Sequence, residues 1–138
     1  MANRRILIID DEEDIREIAK LSLEIVAAWE VLTAPCGEEG LEAARRQRPD
    51  AILLDVQMPE MDGIATFKRL RASDLTRTIP VILLTAKVQA TDRQLFAQLG
   101  ATGLIPKPFD PLKLAGQVGS ALGWTGYTGH CAKTPSTG

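Results

Sequence analysis

Five side chains in this sequence could do chemistry together: the carboxylates of Asp10, Asp11 and Asp55, the hydroxyl of Thr85 and the ammonium of Lys107. Each closes or follows a short apolar run. Ile6-Leu7-Ile8-Ile9 precedes the acidic pair, Ala51-Ile52-Leu53-Leu54 runs into Asp55, Val81-Ile82-Leu83-Leu84 runs into Thr85, and Gly103-Leu104-Ile105 leads to Lys107. In an open parallel α/β sheet the carboxyl ends of the strands border one crevice, and ligands bind there. Carboxylates crowded into it repel one another and disfavour full ionisation, a conflict that a divalent cation relieves. With a hydroxyl and a lysine alongside, the set would make a cation-assisted site that accepts a phosphoryl group.

The elements that must position these groups are legible as a repeat. Apolar runs rich in Ile, Val and Leu alternate with amphipathic stretches, the pattern of successive βα units. The spacing predicts strands at Arg5 to Ile9, Trp29 to Ala34, Ala51 to Asp55, Val81 to Thr85 and Gly103 to Ile105. Helices are expected from Glu13 to about Ala28, Glu38 to Gln47, Ile64 to Ala72, Ala90 to Leu99, and from Asp110-Pro111, an N-cap with proline in first position, to about Leu122. Continuous apolar strands are those buried on both faces. The fold class is therefore α/β, a right-handed doubly wound parallel sheet with helices on both sides. After Leu122 the composition turns to Gly, Thr and Ser, which reads as one domain of 1–122 followed by a flexible tail over 123–138. Trp124 and Tyr127 could alternatively fold back onto the domain.

Composition narrows the function classes. A chain of 138 residues, 45% of them hydrophobic, is the size of one domain with a real core. With 16 Lys plus Arg against 18 Asp plus Glu, the net charge of −2 offers no field for nucleic acid or an anionic membrane surface. No apolar stretch approaches the roughly 20 residues of a membrane span. Cys36 and Cys131 lack metal-ligand spacing and read as free thiols, and His130, the only histidine, as an idle tail residue. A soluble cytoplasmic protein is the simplest expectation.

Over roughly Arg4 to Leu122 the sequence resembles the receiver domain of two-component response regulators, of the chemotaxis-regulator kind. Four features carry the likeness, in the family's order: Asp10-Asp11, the block Leu54-Asp55-Val56-Gln57-Met58-Pro59-Glu60-Met61-Asp62-Gly63, Thr85-Ala86, and Lys107-Pro108-Phe109. The resemblance implies a flavodoxin-like (βα)5 fold with strand order 2-1-3-4-5. It implies that Asp55 is the phosphoacceptor, that Asp11 and Asp55 bind Mg2+ directly and Asp10 through water, and that Gln57 adds its main-chain carbonyl. Thr85 and Lys107 would turn toward the phosphoryl group. Gln57 and Lys87 would tune its exposure to water, and the Lys107-Pro108 peptide has a cis option. Leu104 stands where the family commonly has Tyr or Phe, so coupling is expected through loop and helix motion rather than through an aromatic rotamer.

The implied partners are a sensor histidine kinase or phosphotransfer protein as donor, and a protein target bound through helix 4, strand 5 and helix 5. Neither nucleic acid nor membrane is contacted directly. The chain would catalyse only its own phosphorylation and dephosphorylation, and it would be a stand-alone switch or a receiver from a larger regulator or hybrid kinase. Other classes fit less well. A haloacid-dehalogenase-type enzyme wants a second acid two residues after its aspartate, where Gln57 stands. A flavodoxin-like cofactor binder wants a Ser/Thr/Gly-rich loop after the first strand, where Asp10-Asp11-Glu12-Glu13 would repel a phosphate. An unphosphorylated docking module has no need of all these acidic, hydroxyl and lysine positions.

Overall fold

The computed structural model describes residues 4–56, 63–86 and 90–124. Five strands, β1 (Arg5–Ile9), β2 (Glu30–Ala34), β3 (Ala51–Asp55), β4 (Val81–Thr85) and β5 (Gly103–Pro106), alternate with five helices, α1 (Glu13–Ala27), α2 (Gly37–Gln47), α3 (Gly63–Ala72), α4 (Ala90–Gln98) and α5 (Leu114–Leu122). All strand pairs are parallel and the order is β2-β1-β3-β4-β5, as the resemblance implied. Because the order reverses between β1 and β3, the two chain directions of winding leave a crevice at the carboxyl ends of those strands.

The three central strands, β1, β3 and β4, are buried on both faces, and their residues divide alternately between two cores. Ile6, Ile8, Leu53, Ile82 and Leu84 pack with Ala19 and Leu23 of α1 and with Leu114 and Val118 of α5. Leu7, Ile9, Ile52, Leu54 and Leu83 pack on the other side with Leu41 of α2, Phe67 and Leu70 of α3, and Phe96 of α4. The period of two sends successive side chains to opposite faces, which is why unbroken apolar runs were needed. Each fully buried large aliphatic side chain contributes about 1.5–3 kcal/mol. That core makes the sheet a rigid base for the polar groups at its rim.

Most element bounds fall within a residue of expectation, with α5 the exception. Asp110 does act as a local cap, its Oδ1 accepting the Leu112 N–H at 2.9 Å, but it closes a turn over 111–113, and the helix begins at Leu114. At the other end of α5, Trp124 packs against the α1 and α5 core. Its ring meets Trp29 edge to face at 5.1 Å between centroids, and the Arg4 guanidinium lies 4.4 Å from its own centroid. Tyr127, His130 and Cys131 lie outside the described residues.

Candidate functional site

The register builds the site. Ile9 pairs with Leu54, so Asp10 leaves β1 beside Asp55, the last residue of β3. Asp55 pairs with Leu84 and Thr85 pairs with Pro106, which brings Thr85 and then Lys107 to the same rim. Four neighbouring strands thus deliver their polar ends in one row.

Local chemistry aims the side chains. Asp10 is fully buried, and its Oδ1 accepts the Glu12 N–H at 2.9 Å, an Asx turn that leads the chain into α1. Glu13 and Asp14 in the first turn of α1 suit the positive end of its dipole. Asp11, between Asp10 and Glu12, is exposed. Asp55 is 1% exposed. Behind it, α3 starts so close that a Cβ on Gly63 would lie 2.2 Å from the Asp55 carbonyl oxygen and 2.3 Å from Val56 Cα. Only glycine admits that approach.

Carboxylate oxygens of Asp10, Asp11 and Asp55 all lie within 4.8 Å of one another. Lys107 faces them: its Nζ is 3.3 Å from Asp10 Oδ2, 3.5 Å from Asp55 Oδ1 and 3.9 Å from Glu12 Oε1. Its side chain is only 14% exposed, so the ammonium is drawn into the crevice rather than left in solvent. The Lys107-Pro108 peptide is cis, and the Lys107 N–H donates to the Thr85 carbonyl at 2.9 Å. Thr85 itself is buried.

Electrostatics here are unresolved by the protein alone. Burial is the largest influence on Asp10 and pushes its carboxyl up to about 6. The Glu12 N–H opposes that rise, the charge of Asp55 adds to it, and Lys107 again opposes it. For Lys107, burial works to lower the pKa, but Asp10, Asp55 and Glu12 outweigh it and hold the ammonium above its ordinary value. One lysine therefore lies between two buried acids, and its charge does not offset the burial of Asp10. Three hard carboxylate oxygens in such reach fit Mg2+, which takes oxygen ligands and keeps several waters.

The structure brings together Asp10, Asp11, Asp55 and Lys107, and places Thr85 on the same rim through main-chain pairing. Gln57 and Lys87 lie outside the described residues. Leu104 pairs with Leu83 in β5 and packs, partly buried, against the core shared by α3 and α4. One contact escaped the sequence reading: Arg16 Nη1 donates to the Asp10 carbonyl at 2.8 Å. No periodic signal marks a side chain that reaches back six residues to a main-chain oxygen.

The family model of the response regulator receiver domain matches residues 6–118. The chain belongs to that family. Among relatives of this receiver, the alkaline phosphatase synthesis transcriptional regulatory protein PhoP of Bacillus subtilis is 40% identical over 120 residues, 87% of this chain and 49% of that protein. The phosphate regulon transcriptional regulatory protein PhoB of Pseudomonas aeruginosa is 37% identical over 126 residues, 91% of this chain and 55% of that protein. The chain thus spans about half the length of the curated relatives it matches. Among solved structures, chemotaxis protein CheY4 of Vibrio cholerae superposes with a TM-score of 0.81 at 32% identity, covering 87% of this chain and 99% of that one. The receiver domain of sensor histidine kinase PA1611 from Pseudomonas aeruginosa superposes at 0.77 with 30% identity, covering 88% and 99%. That structure holds a magnesium ion in its active-site cleft. Among the described residues of the present receiver, no helix is long and apolar enough to cross a membrane.

Proposed function

We propose that this receiver is a phosphoacceptor switch in two-component signalling, with Asp55 as the residue that takes the phosphoryl group. The observation that supports this most is the shared hold of Lys107 on Asp10 and Asp55, 3.3 and 3.5 Å away, beside a third carboxylate. A carboxylate nucleophile needs little covalent help in phosphoryl transfer; positioning and charge stabilisation do most of the work. Asp10, Asp11 and Asp55, with the main-chain carbonyl of Gln57, would hold Mg2+, whose role when bound is to neutralise charge on the incoming phosphoryl oxygens. Lys107 supplies a second cation, and Thr85 a hydroxyl at the end of the adjacent strand. The phosphoryl donor is a phosphohistidine on a sensor histidine kinase or phosphotransfer protein.

The response travels through what the donors are attached to. Lys107 is tied by its N–H to the Thr85 carbonyl, so re-aiming either group disturbs the loops after β4 and β5 together. The face of α4, β5 and α5 is the surface such a shift reshapes for a protein target. Leu104 is too small and apolar to follow a hydroxyl inward as an aromatic ring does, which leaves loop and helix motion as the route. The setting is cytoplasmic, and the only reaction is the gain and loss of the receiver's own phosphoryl group.

A second reading concerns the longer protein. The relatives are named as transcriptional regulators about twice this length. The chain is then the receiver of a larger regulator, and the absence of nucleic-acid contact applies to these 138 residues alone.

Intact-mass analysis after incubation with a small acyl phosphate and Mg2+ tests the proposal. One phosphate-sized gain is expected on the parent, none on Asp55→Asn, and none after chelation. Equal labelling of Asp55→Asn would remove that residue from the role.

A further inference from the structure

Arg16 lies outside the acid, hydroxyl and lysine set, yet it touches that set's backbone. Asp10 is held at four points. Its N–H donates to the Ala34 carbonyl at 3.1 Å, its Oδ1 accepts from the Glu12 N–H at 2.9 Å, and its Oδ2 accepts from Lys107 at 3.3 Å. The fourth is the Asp10 carbonyl, which accepts from Arg16 Nη1 at 2.8 Å. That last bond acts on the peptide plane joining Asp10 to Asp11. The plane sets the direction in which the exposed Asp11 side chain departs, and Asp11 must point back to keep its oxygen within 4.8 Å of those of Asp10 and Asp55.

We propose that Arg16 is a positioning residue for the divalent cation: by gripping the Asp10 carbonyl it fixes the Asp10-Asp11 peptide and aims the Asp11 carboxylate into the cleft. The proposal rests on the reading of the cleft as a Mg2+ site. Arg16 stays half-buried over a run of five acids, Asp10 to Asp14, any of which could have drawn it into a simple ion pair. Its hydrogen bond goes instead to a main-chain oxygen. A charge-assisted bond of this kind is about twice as strong as a neutral one, enough to hold a loop residue in one orientation.

Geometry and field make opposite predictions. Removing a nearby positive charge should by itself tighten Mg2+ binding, because the pocket becomes more negative. Removing the grip should weaken it, since outer partners of metal ligands are typically worth about ten- to a hundredfold in affinity.

Calorimetric titration of the parent, Arg16→Met, Arg16→Lys, Asp11→Asn and the double variant with Mg2+, at pH 7.5 and fixed ionic strength, separates them. Arg16→Met is expected to bind about tenfold more weakly, and Arg16→Lys, which keeps charge and a donor, to recover part of the loss. In the Asp11→Asn background, Arg16→Met should cost nothing further, because the side chain it aims no longer carries a charge. Unchanged or tighter binding by Arg16→Met would overturn the proposal, as would an equal loss in both backgrounds, the mark of a general brace. Should Arg16→Met fail to fold, Arg16→Gln, which has neither the reach nor the charge, is read in the same way. A parent that binds no Mg2+ would instead remove the functional reading on which this inference stands.

Discussion

Asp10→Asn should make the metal-free protein more stable at neutral pH. A carboxyl moved from its ordinary 3.8 to about 6 favours its neutral form in the folded state. Between about pH 4 and 6 the folded chain holds a proton that the unfolded chain has lost, so stability falls as pH rises through that window. Above it the penalty is complete, on the order of 3 kcal/mol for a displacement of this size. Asparagine keeps an Oδ1 that can accept the Glu12 N–H and keeps the volume, while removing the charge. Lys107 loses one partner but retains Asp55 at 3.5 Å. The raised pKa of Lys107 acts elsewhere: its stabilisation is present below its ordinary 10.5 and is lost only at higher pH, so it is constant across the range of interest.

The assay is thermal unfolding in chelator from pH 3.5 to 8. A domain of this size shifts roughly 3–5 °C per kcal/mol, so a midpoint roughly 10 °C higher than the parent's is expected at pH 7.5. The two curves should converge toward pH 4, where both side chains are neutral. A variant no more stable than the parent at pH 7.5, or a difference independent of pH, would refute the assignment of a burial penalty to Asp10.

Two further substitutions test the frame around the cleft. Gly63→Ala places a Cβ 2.2 Å from the Asp55 carbonyl oxygen, against backbone that cannot rotate away, and should destabilise by about 1–3 kcal/mol in urea unfolding; an unchanged midpoint would sink the close-approach argument. Trp124→Ala removes the edge-to-face contact with Trp29, worth about 0.5–1.5 kcal/mol beyond the buried area, and should lower the midpoint and alter the near-ultraviolet dichroism of Trp29; no change in either would mean that the pair is not formed.

The repeat of five βα units was legible because the three central strands are buried on two faces and so carry unbroken apolar runs, such as Ile6 to Ile9, that no amphipathic helix would show. The gathering of Asp10, Asp55, Thr85 and Lys107 was legible for a related reason: each stands at the carboxyl end of such a run, and parallel strands align those ends. What was not legible depended on three-dimensional contact. Asp10 and Asp11 are adjacent acids in sequence, but one is buried and the other exposed: the Asp10 N–H still bonds the Ala34 carbonyl at the end of β2, and the chain bends at Asp11. Asp110-Pro111 carries a true cap signal, yet the cap closes a turn and the helix waits until Leu114. Trp124 sits in a Gly/Thr-rich segment whose composition says tail, and a single large ring packs it onto Trp29 regardless.

Charge counting ties the site's instability to its use. Among the described residues, three carboxylates share one ammonium in the cleft, and the charge of Asp55 adds to the burial that makes Asp10 give up its own charge more readily than an ordinary aspartate. A divalent cation would bring the charge of these three carboxylates and one ammonium to neutral. On the proposed function, an acyl phosphate on Asp55 would replace one negative charge with nearly two and reopen the deficit. Lys107 already divides its ammonium between Asp10 and Asp55. In that proposal, turning to the new dianion would draw the ammonium away from Asp10, and because the Lys107 N–H is bonded to the Thr85 carbonyl, the change would be felt at the ends of β4 and β5. On that proposal the response would come from the charge added at Asp55, which upsets the balance the cation had set.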